Sequence, residues 1–333
     1  MRFYIVDAFA DEIFGGNTAG VVLIPEGGDF PDDEICVKTA AELRYSETAF
    51  IKRLGDKEFN IRYFTPAAEV ELCGHATIGS FAALKQGGHI GDGEFMNHTI
   101  SGDLNIGVKG NHILMDMAAP VKIGEIGSDD ELTELYSIMG LDYEAQKTAG
   151  LDLPTQMIST GLPDIMMPVN TLADLEAIDP DFQALTELSR KYEVVGVHAF
   201  TRDGDDATAH VRNFAPLYDI DEESATGTSN GALTYYGYLN GFIGSGDDCR
   251  FVQGEKMGRP SVIASHIEAA SGEGSEAASG ECSEAASGEG SESAGGEGSE
   301  AAGGDESGSS DGGSCRIRVG GRGVIVAEGE INI

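Results

Sequence analysis

The sequence predicts a mixed α+β chain built mostly on antiparallel sheet, and three observations predict it. Short apolar stretches of strand length alternate with helix-like runs. Several strands follow one another through Gly-rich turns with no helix between them, which favours antiparallel pairing over a doubly wound parallel sheet. A strand, turn and helix pattern from the first half also recurs in the second. In chain order, Phe3–Val6 and Ala19–Ile24 read as strands, and Asp32–Arg44 reads as a helix opened by an acidic first turn. Ser46–Lys52 and Phe59–Phe64 follow as strands, and His98–Ile106 and His112–Met115 as strands linked by glycine turns.

With 333 residues and 41% hydrophobic content the chain can build a real core. No apolar run approaches the roughly 18 residues of a membrane span. Fifty-seven acids against 21 Lys and Arg give a formal charge of −36, which repels a phosphate backbone, so nucleic acid and membrane are both excluded as partners. Cys36, Cys73, Cys249, Cys282 and Cys315 are odd in number and form no CxxC pair, so neither a disulfide framework nor a metal site is expected. The opening Met1-Arg2-Phe3-Tyr4-Ile5-Val6-Asp7 reads as a strand and not as a signal peptide, which favours a cytoplasmic setting.

From Glu268 to Ser314 there is no aliphatic residue larger than Ala and no aromatic one, and the stretch falls into octads near S-E-A-A-S-G-E-G. Nothing apolar is available to stack between repeats, so residues 267–314 read as a disordered acidic insertion and not as a solenoid. Apolar alternation stops at Pro260-Ser261-Val262-Ile263-Ala264 and resumes at Arg316-Ile317-Arg318-Val319. That places the insertion at the tip of a β-hairpin. Removing its 12 acids still leaves −24 of the −36 on the remainder.

The most informative feature is the internal echo. Ile61-Arg62-Tyr63-Phe64-Thr65-Pro66 returns as Val211-Arg212-Asn213-Phe214-Ala215-Pro216, 150 positions on. Each copy leads through an acidic stretch to a glycine turn and a helix-like run, at Gly74 and at Gly227. If both glycines open helices, two sets of free backbone N–H groups and two positive dipole ends offer sites for a small carboxylate. Taken singly, each glycine could equally be an ordinary cap. His75 would lie in the first helical turn, where the dipole helps keep imidazole neutral, or it could be a plain polar residue near a helix start. Glu47 reads either as a strand residue sharing a face with Ala49 and Ile51 or as a loop residue just after a helix. A carboxylate on an apolar face is shifted towards neutral acidity, which suits a proton shuttle.

These residues resemble the phenazine-biosynthesis-like (PhzF-like) isomerases, which share the diaminopimelate-epimerase type of fold. The resemblance rests on Val6-Asp7-Ala8-Phe9 with Gly16-Asn17-Thr18, on Ser46-Glu47-Thr48-Ala49-Phe50, and on Pro66 to Gly79 with Cys73-Gly74-His75 at its centre. It continues through Gly161-Leu162-Pro163, Arg212 to Gly231, and Gln253 to Ser261. It implies two similar barrel-like domains, each wrapping a central helix, with the site between them and commonly a homodimer. Here the halves would be 1–118, completed by 324–333, and 119–323, interrupted by 267–314. The resemblance also implies cofactor-free isomerisation of a small carboxylate-bearing, amino-acid-like substrate. In that scheme Glu47 carries the proton, His75 and Glu223 assist, and Gly74, Gly227, Thr228 and Asn17 hold the substrate. The family's second-half motif usually has Asp where this chain has Glu223, a side chain longer by one methylene.

Two rivals remain open. One is an amino-acid racemase using two opposed thiols, for which Cys73 is available while Thr226 occupies the partner position. The other is a binding protein without turnover. Gly102–Gly110 lacks the context of a nucleotide loop, and the scattered histidines form no ligand pair, so no metal is expected. The acidic, lysine-poor composition fits work in a salty cytoplasm, where self-repulsion is screened. The melting temperature should accordingly rise with added potassium chloride; a level or falling value between low and molar salt removes this reading.

Overall fold

Period-two burial along the strands produces one pairing scheme, used twice. The computed structural model describes residues 1–204, 207–269 and 315–333. In the first half the elements are β1 (Arg2–Ala8), β2 (Asn17–Leu23), α1 (Asp33–Leu43), β3 (Thr48–Arg53), β4 (Glu58–Phe64), β5 (Glu69–Val70), α2 (Gly74–Gln86), β6 (Gly93–Thr99), β7 (Gly102–Lys109) and β8 (His112–Asp116). β1 pairs antiparallel with β2, β2 parallel with β3, and β3 antiparallel with β4. β4 takes β5 antiparallel and β6 parallel, and β6, β7 and β8 form an antiparallel meander.

The second half contains β9 (Val121–Ile126), α3 (Asp129–Ile138), α4 (Tyr143–Thr148), β10 (Thr155–Ser159), β11 (Pro163–Pro168), α5 (Leu172–Ala177), α6 (Phe182–Tyr192), β12 (Gly196–Thr201), β13 (Ala209–Ala215), β14 (Ile220–Glu223), α7 (Gly227–Leu239), β15 (Asp248–Gln253), β16 (Ser261–Ala269), β17 (Cys315–Gly321) and β18 (Gly323–Glu330). From β10 to β17 its pairings repeat those of β1 to β8 with the same senses. Two pairings join the halves, with β18 returning to β1 and β8 running antiparallel to β17, while β9 flanks β10 within the second half as β18 flanks β1.

A helix that is apolar on every side must be wrapped. α2 buries every residue from His75 to Leu84 and packs against β1, β2, β3, β8 and β18; α7 lies against β10, β11, β16 and β17. The small residues make this possible, since a Cβ on Gly79 would already lie 3.6 Å from the Val6 Cβ. α1 covers Val22, Phe50 and Phe64 from outside, and α3, α5 and α6 cover a separate core around Ile165, Val197 and Phe214.

The echo is also a structural repeat. Arg62 grips Glu69 with two hydrogen bonds of 2.6 Å, and Arg212 grips Glu222 with two of 2.8 Å. Each clamp fixes a short strand five residues before the glycine that opens the buried helix.

Three local expectations change. His98–Ile106 is not one strand, because the chain turns at Ile100-Ser101 and Gly102 takes a φ of 115°. Glu47 precedes β3 instead of lying within it. The strand before the insertion extends to Ala269, since Ser265 and Ile267 continue the buried alternation, so 267–269 belong to β16. The remaining insertion residues, with Cys282, lie outside the described residues. The parallel pairs β2–β3 and β4–β6, with their counterparts, add to the antiparallel sheet foreseen. No helix among the described residues is long and apolar enough to cross a membrane.

Ala269 and Cys315 are paired directly across the β16–β17 ladder, a spacing that a two-residue turn closes. Replacing residues 270–314 with Asn-Gly should leave a single cooperative urea transition, and loss of cooperativity would disprove the hairpin-insertion reading.

Candidate active site

The ends of α2 and α7 meet over one side chain. A Cβ on Gly74 would lie 3.2 Å from Met115 Cε, and one on Gly227 would lie 3.8 Å from the same atom. Their N-caps, Cys73 and Thr226, occupy corresponding positions, and neither side chain caps its helix. Both first turns therefore direct backbone N–H groups and positive dipole ends to a shared space.

Four of the expected residues converge there. α1 ends at Arg44 in the left-handed conformation (φ 61°), which turns the chain so that Ser46 and Glu47 approach α2 before β3 begins. The Glu47 carbonyl accepts from Gly20 N at 3.1 Å, fixing this turn against β2. Asn17 opens β2 after Gly16, whose φ of +64° and 2.1 Å separation of a would-be Cβ from Ala8 O admit only glycine. Its amide nitrogen donates to Glu223 Oε1 at 2.9 Å and lies 3.3 Å from both Ala225 O and His75 Nδ1. Asn17 thus ties the two halves together at the site.

His75, only 6% exposed, is surrounded by reactive groups. Its Nε2 is 3.2 Å from Glu47 Oε2 and 3.4 Å from Ser46 Oγ, while its Nδ1 is 3.4 Å from Cys73 Sγ and 3.9 Å from Glu223 Oε1. The Glu47 contact is close but poorly aligned, which leaves Glu47 Oε2 buried without a hydrogen-bond partner. A desolvated carboxylate oxygen without a partner is costly unless a ligand uses it. Burial depresses the His75 pKa, partly offset by the Glu47 charge, so the ring is neutral at pH 7.

Glu223 is the acid that the repeat does not share, since Val70 occupies its place in the first half. Burial pushes its pKa up to about 7 against a hydrogen bond from Thr226 Oγ1, and the nearby Glu47 charge adds to the rise. The Cys73 thiol is held well above its ordinary value by burial and then by Glu47. Glu47, Cys73 and His75 each offer one donor atom, all within 4.8 Å of one another. The spacing of residues in the sequence gives no sign of this set, because Glu47 arrives from a distant turn.

Thr228 is half-buried in the first turn of α7, and its carbonyl accepts from Thr160 Oγ1 at 2.9 Å. Sequence reasoning missed Ser46, and it treated Thr226 only as a failed base. Thr226 orients Glu223 instead, and Gln253 holds both through contacts to Glu223 O at 2.7 Å and Thr226 Oγ1 at 3.1 Å. Gln253 stands in the Gln253–Ser261 segment already singled out, which was the available signal. Asp7 is structural: Phe14 N, Thr18 Oγ1 and Arg259 satisfy its two oxygens.

A carboxyl whose folded pKa exceeds its unfolded value holds its proton more tightly in the native state. Its stabilising contribution is complete below the unfolded pKa and is lost as pH rises through the folded one. For Glu223 that window runs from its ordinary value of 4.5 to about 7. Relative to wild type, Glu223→Gln should gain stability from pH 4.5 to pH 7.5 in urea unfolding. An unchanged difference across the window would show that Glu223 titrates normally.

Comparison with known proteins identifies the family and the fold. A family model described as phenazine biosynthesis-like protein matches residues 6–284. An uncharacterised isomerase of Deinococcus radiodurans is 32% identical over 274 residues, covering 80% of this chain and 87% of that protein. The trans-2,3-dihydro-3-hydroxyanthranilate isomerase of Pseudomonas aeruginosa is 28% identical over 275 residues, covering 81% and 91%. The crystal structure of a Bacillus anthracis PhzF-family phenazine biosynthesis protein superposes with a TM-score of 0.75 at 23% identity, covering 100% of this chain and 99% of that one. The expected diaminopimelate-epimerase-like fold is therefore met, and the chain belongs to the phenazine biosynthesis-like (PhzF) family of isomerases.

Proposed function

We propose that this protein isomerises a small, carboxylate-bearing, amino-acid-like molecule by moving one proton between carbons on Glu47. The observation that carries this reading is Glu47 Oε2, buried and unpartnered beside two uncapped helix ends. The N–H groups around Gly74 and Gly227-Thr228 hold the substrate carboxylate, and Asn17 keeps the two halves in register around it. Glu47 accepts a proton from a substrate carbon while a double bond shifts, then returns it to another carbon. The net change is a rearrangement with no gain or loss of electrons.

Neutral His75 lies beside Glu47 and polarises or relays the proton. Glu223, with its pKa raised to about 7, is protonated often enough near neutrality to donate a hydrogen bond to a developing negative charge. The relative from Pseudomonas aeruginosa is named for a cyclic, carboxylate-bearing amino acid, which supports testing small cyclic amino acids first.

In D₂O, wild-type protein should incorporate deuterium at carbon in one member of a panel of small cyclic and linear amino acids, followed by NMR. Glu47→Gln should lower that rate by about 100- to 10,000-fold, the range for loss of a positioned acid–base group. Equal exchange by variant and wild type would remove Glu47 from the mechanism. Binding without exchange anywhere in the panel would favour a non-catalytic binder.

A further inference from the structure

The N, O and S donors gathered around His75 match the coordination shell of a thiophilic divalent cation, and we propose that zinc binds to Glu47, Cys73 and His75 as an inhibitor. The site itself follows from the geometry, whereas the inhibition rests on the proton-shuttle reading given above. A tetrahedral zinc with bonds of about 2.0–2.1 Å to N and O and about 2.3 Å to S sets its ligand atoms about 3.3 Å apart for N to O and about 3.6 Å apart for N to S. The distances are 3.2 Å from His75 Nε2 to Glu47 Oε2 and 3.9 Å from His75 Nε2 to Cys73 Sγ. The edge from His75 to Glu47 is therefore set before any metal arrives, whereas Cys73 Sγ, within 4.8 Å of both but 3.4 Å from His75 Nδ1, is brought onto Nε2 by a turn of the imidazole ring.

Glu47 Oε2 supplies the second, independent observation. It is buried with no hydrogen-bond partner, so a cation would satisfy it without breaking an existing bond. Binding releases the Cys73 thiol proton to solvent, and the charge of the ion then stabilises the thiolate. Zinc on Nε2 puts the ring hydrogen of His75 on Nδ1, where the Asn17 amide nitrogen lies at 3.3 Å and Glu223 Oε1 at 3.9 Å, so the ring must turn from Asn17 towards Glu223 for that hydrogen to meet an outer carboxylate. A fourth position remains for water or a substrate anion.

Such an ion occupies the lone pairs on which Glu47 depends, so metal and proton transfer exclude each other. Zinc is then a regulator of this site and not its cofactor. Acidic side chains elsewhere on the chain can also attract divalent ions, but oxygen ligands alone give no sulfur-to-metal charge transfer, and the test uses that difference.

The full-length protein is titrated with cobalt(II) under reducing, anaerobic conditions. One equivalent should produce a sulfur-to-cobalt charge-transfer band and the intense visible absorption of tetrahedral cobalt, and zinc should displace both. Cys73→Ser should abolish the charge-transfer band, and His75→Gln should weaken cobalt binding by more than about tenfold. Far-UV circular dichroism confirms that each variant is folded. No charge-transfer band in wild type, or a band that survives Cys73→Ser, overturns the site. Binding that leaves deuterium exchange at full rate supports the site and overturns the inhibition. If no substrate exchanges, the cobalt spectra still decide the site, and only the proton-shuttle reading fails.

Discussion

The seam between β8 and β17 sets the distance on which everything else depends. Gly320 passes so near β8 that a Cβ there would lie 1.8 Å from Ile113 O, and the adjacent pair on the same ladder is Met115 with Val319. Those two side chains lie beneath the helix ends: Met115 faces both Gly74 and Gly227, and Val319 faces Gly227 and Gly231. Close approach of two backbones therefore brings two helix dipoles to one point. A bulkier residue at position 320 would force the ladder apart and separate the halves of the site at once.

Duplication supplies the scaffold, and departures from it supply the chemistry. Both halves keep the Arg–Glu clamp, the short strand, the glycine and the buried helix. At corresponding places the first half carries Val70, Cys73 and His75, and the second carries Glu223, Thr226 and Thr228. A symmetrical site would present two equal bases to a substrate. The arrangement here is unequal, with a desolvated Glu47, a His75 kept neutral by burial and a Glu223 whose pKa burial raises to about 7, which is the asymmetry the proposed proton transfer would use. Thr226, oriented towards Glu223, also leaves Cys73 without the opposing thiol of a two-thiol racemase.

Much of this was legible in the sequence because the echo is local. The same six-residue strand, acidic stretch and glycine mark α2 and α7 within each half, and both helices are rich in Gly, Ala and Thr and carry no acid. His75 was legible because it adjoins its glycine. Glu47 stayed open between a strand and a loop reading, since one residue in the left-handed conformation at Arg44 decides where β3 starts and periodicity does not register that residue. The contact Asn17–Glu223 was not legible because it crosses from one half to the other, and Glu47–Cys73 because it joins the turn before β3 to the cap of α2, 26 positions on within the first half. The extension of β16 past Ala264 was hidden by Ser265 and His266, polar residues that interrupt an apolar pattern without interrupting a strand.

The return of β18 to β1 has a consequence for biosynthesis. Met1 N and Ile331 O are hydrogen-bonded, and β18 lies alongside the full length of β1. During translation the first half emerges without the strand that flanks β1, because β18 is made only after β9 to β17. The 45 residues between Ala269 and Cys315 lengthen the wait by about 2–9 s at synthesis rates of 5–20 residues per second. Throughout that interval the outer edge of β1 presents unsatisfied backbone groups, the kind of edge on which strands from other chains pair. A strongly negative nascent chain repels its neighbours in the same polysome, so the acidity that governs the finished surface also protects the unfinished sheet.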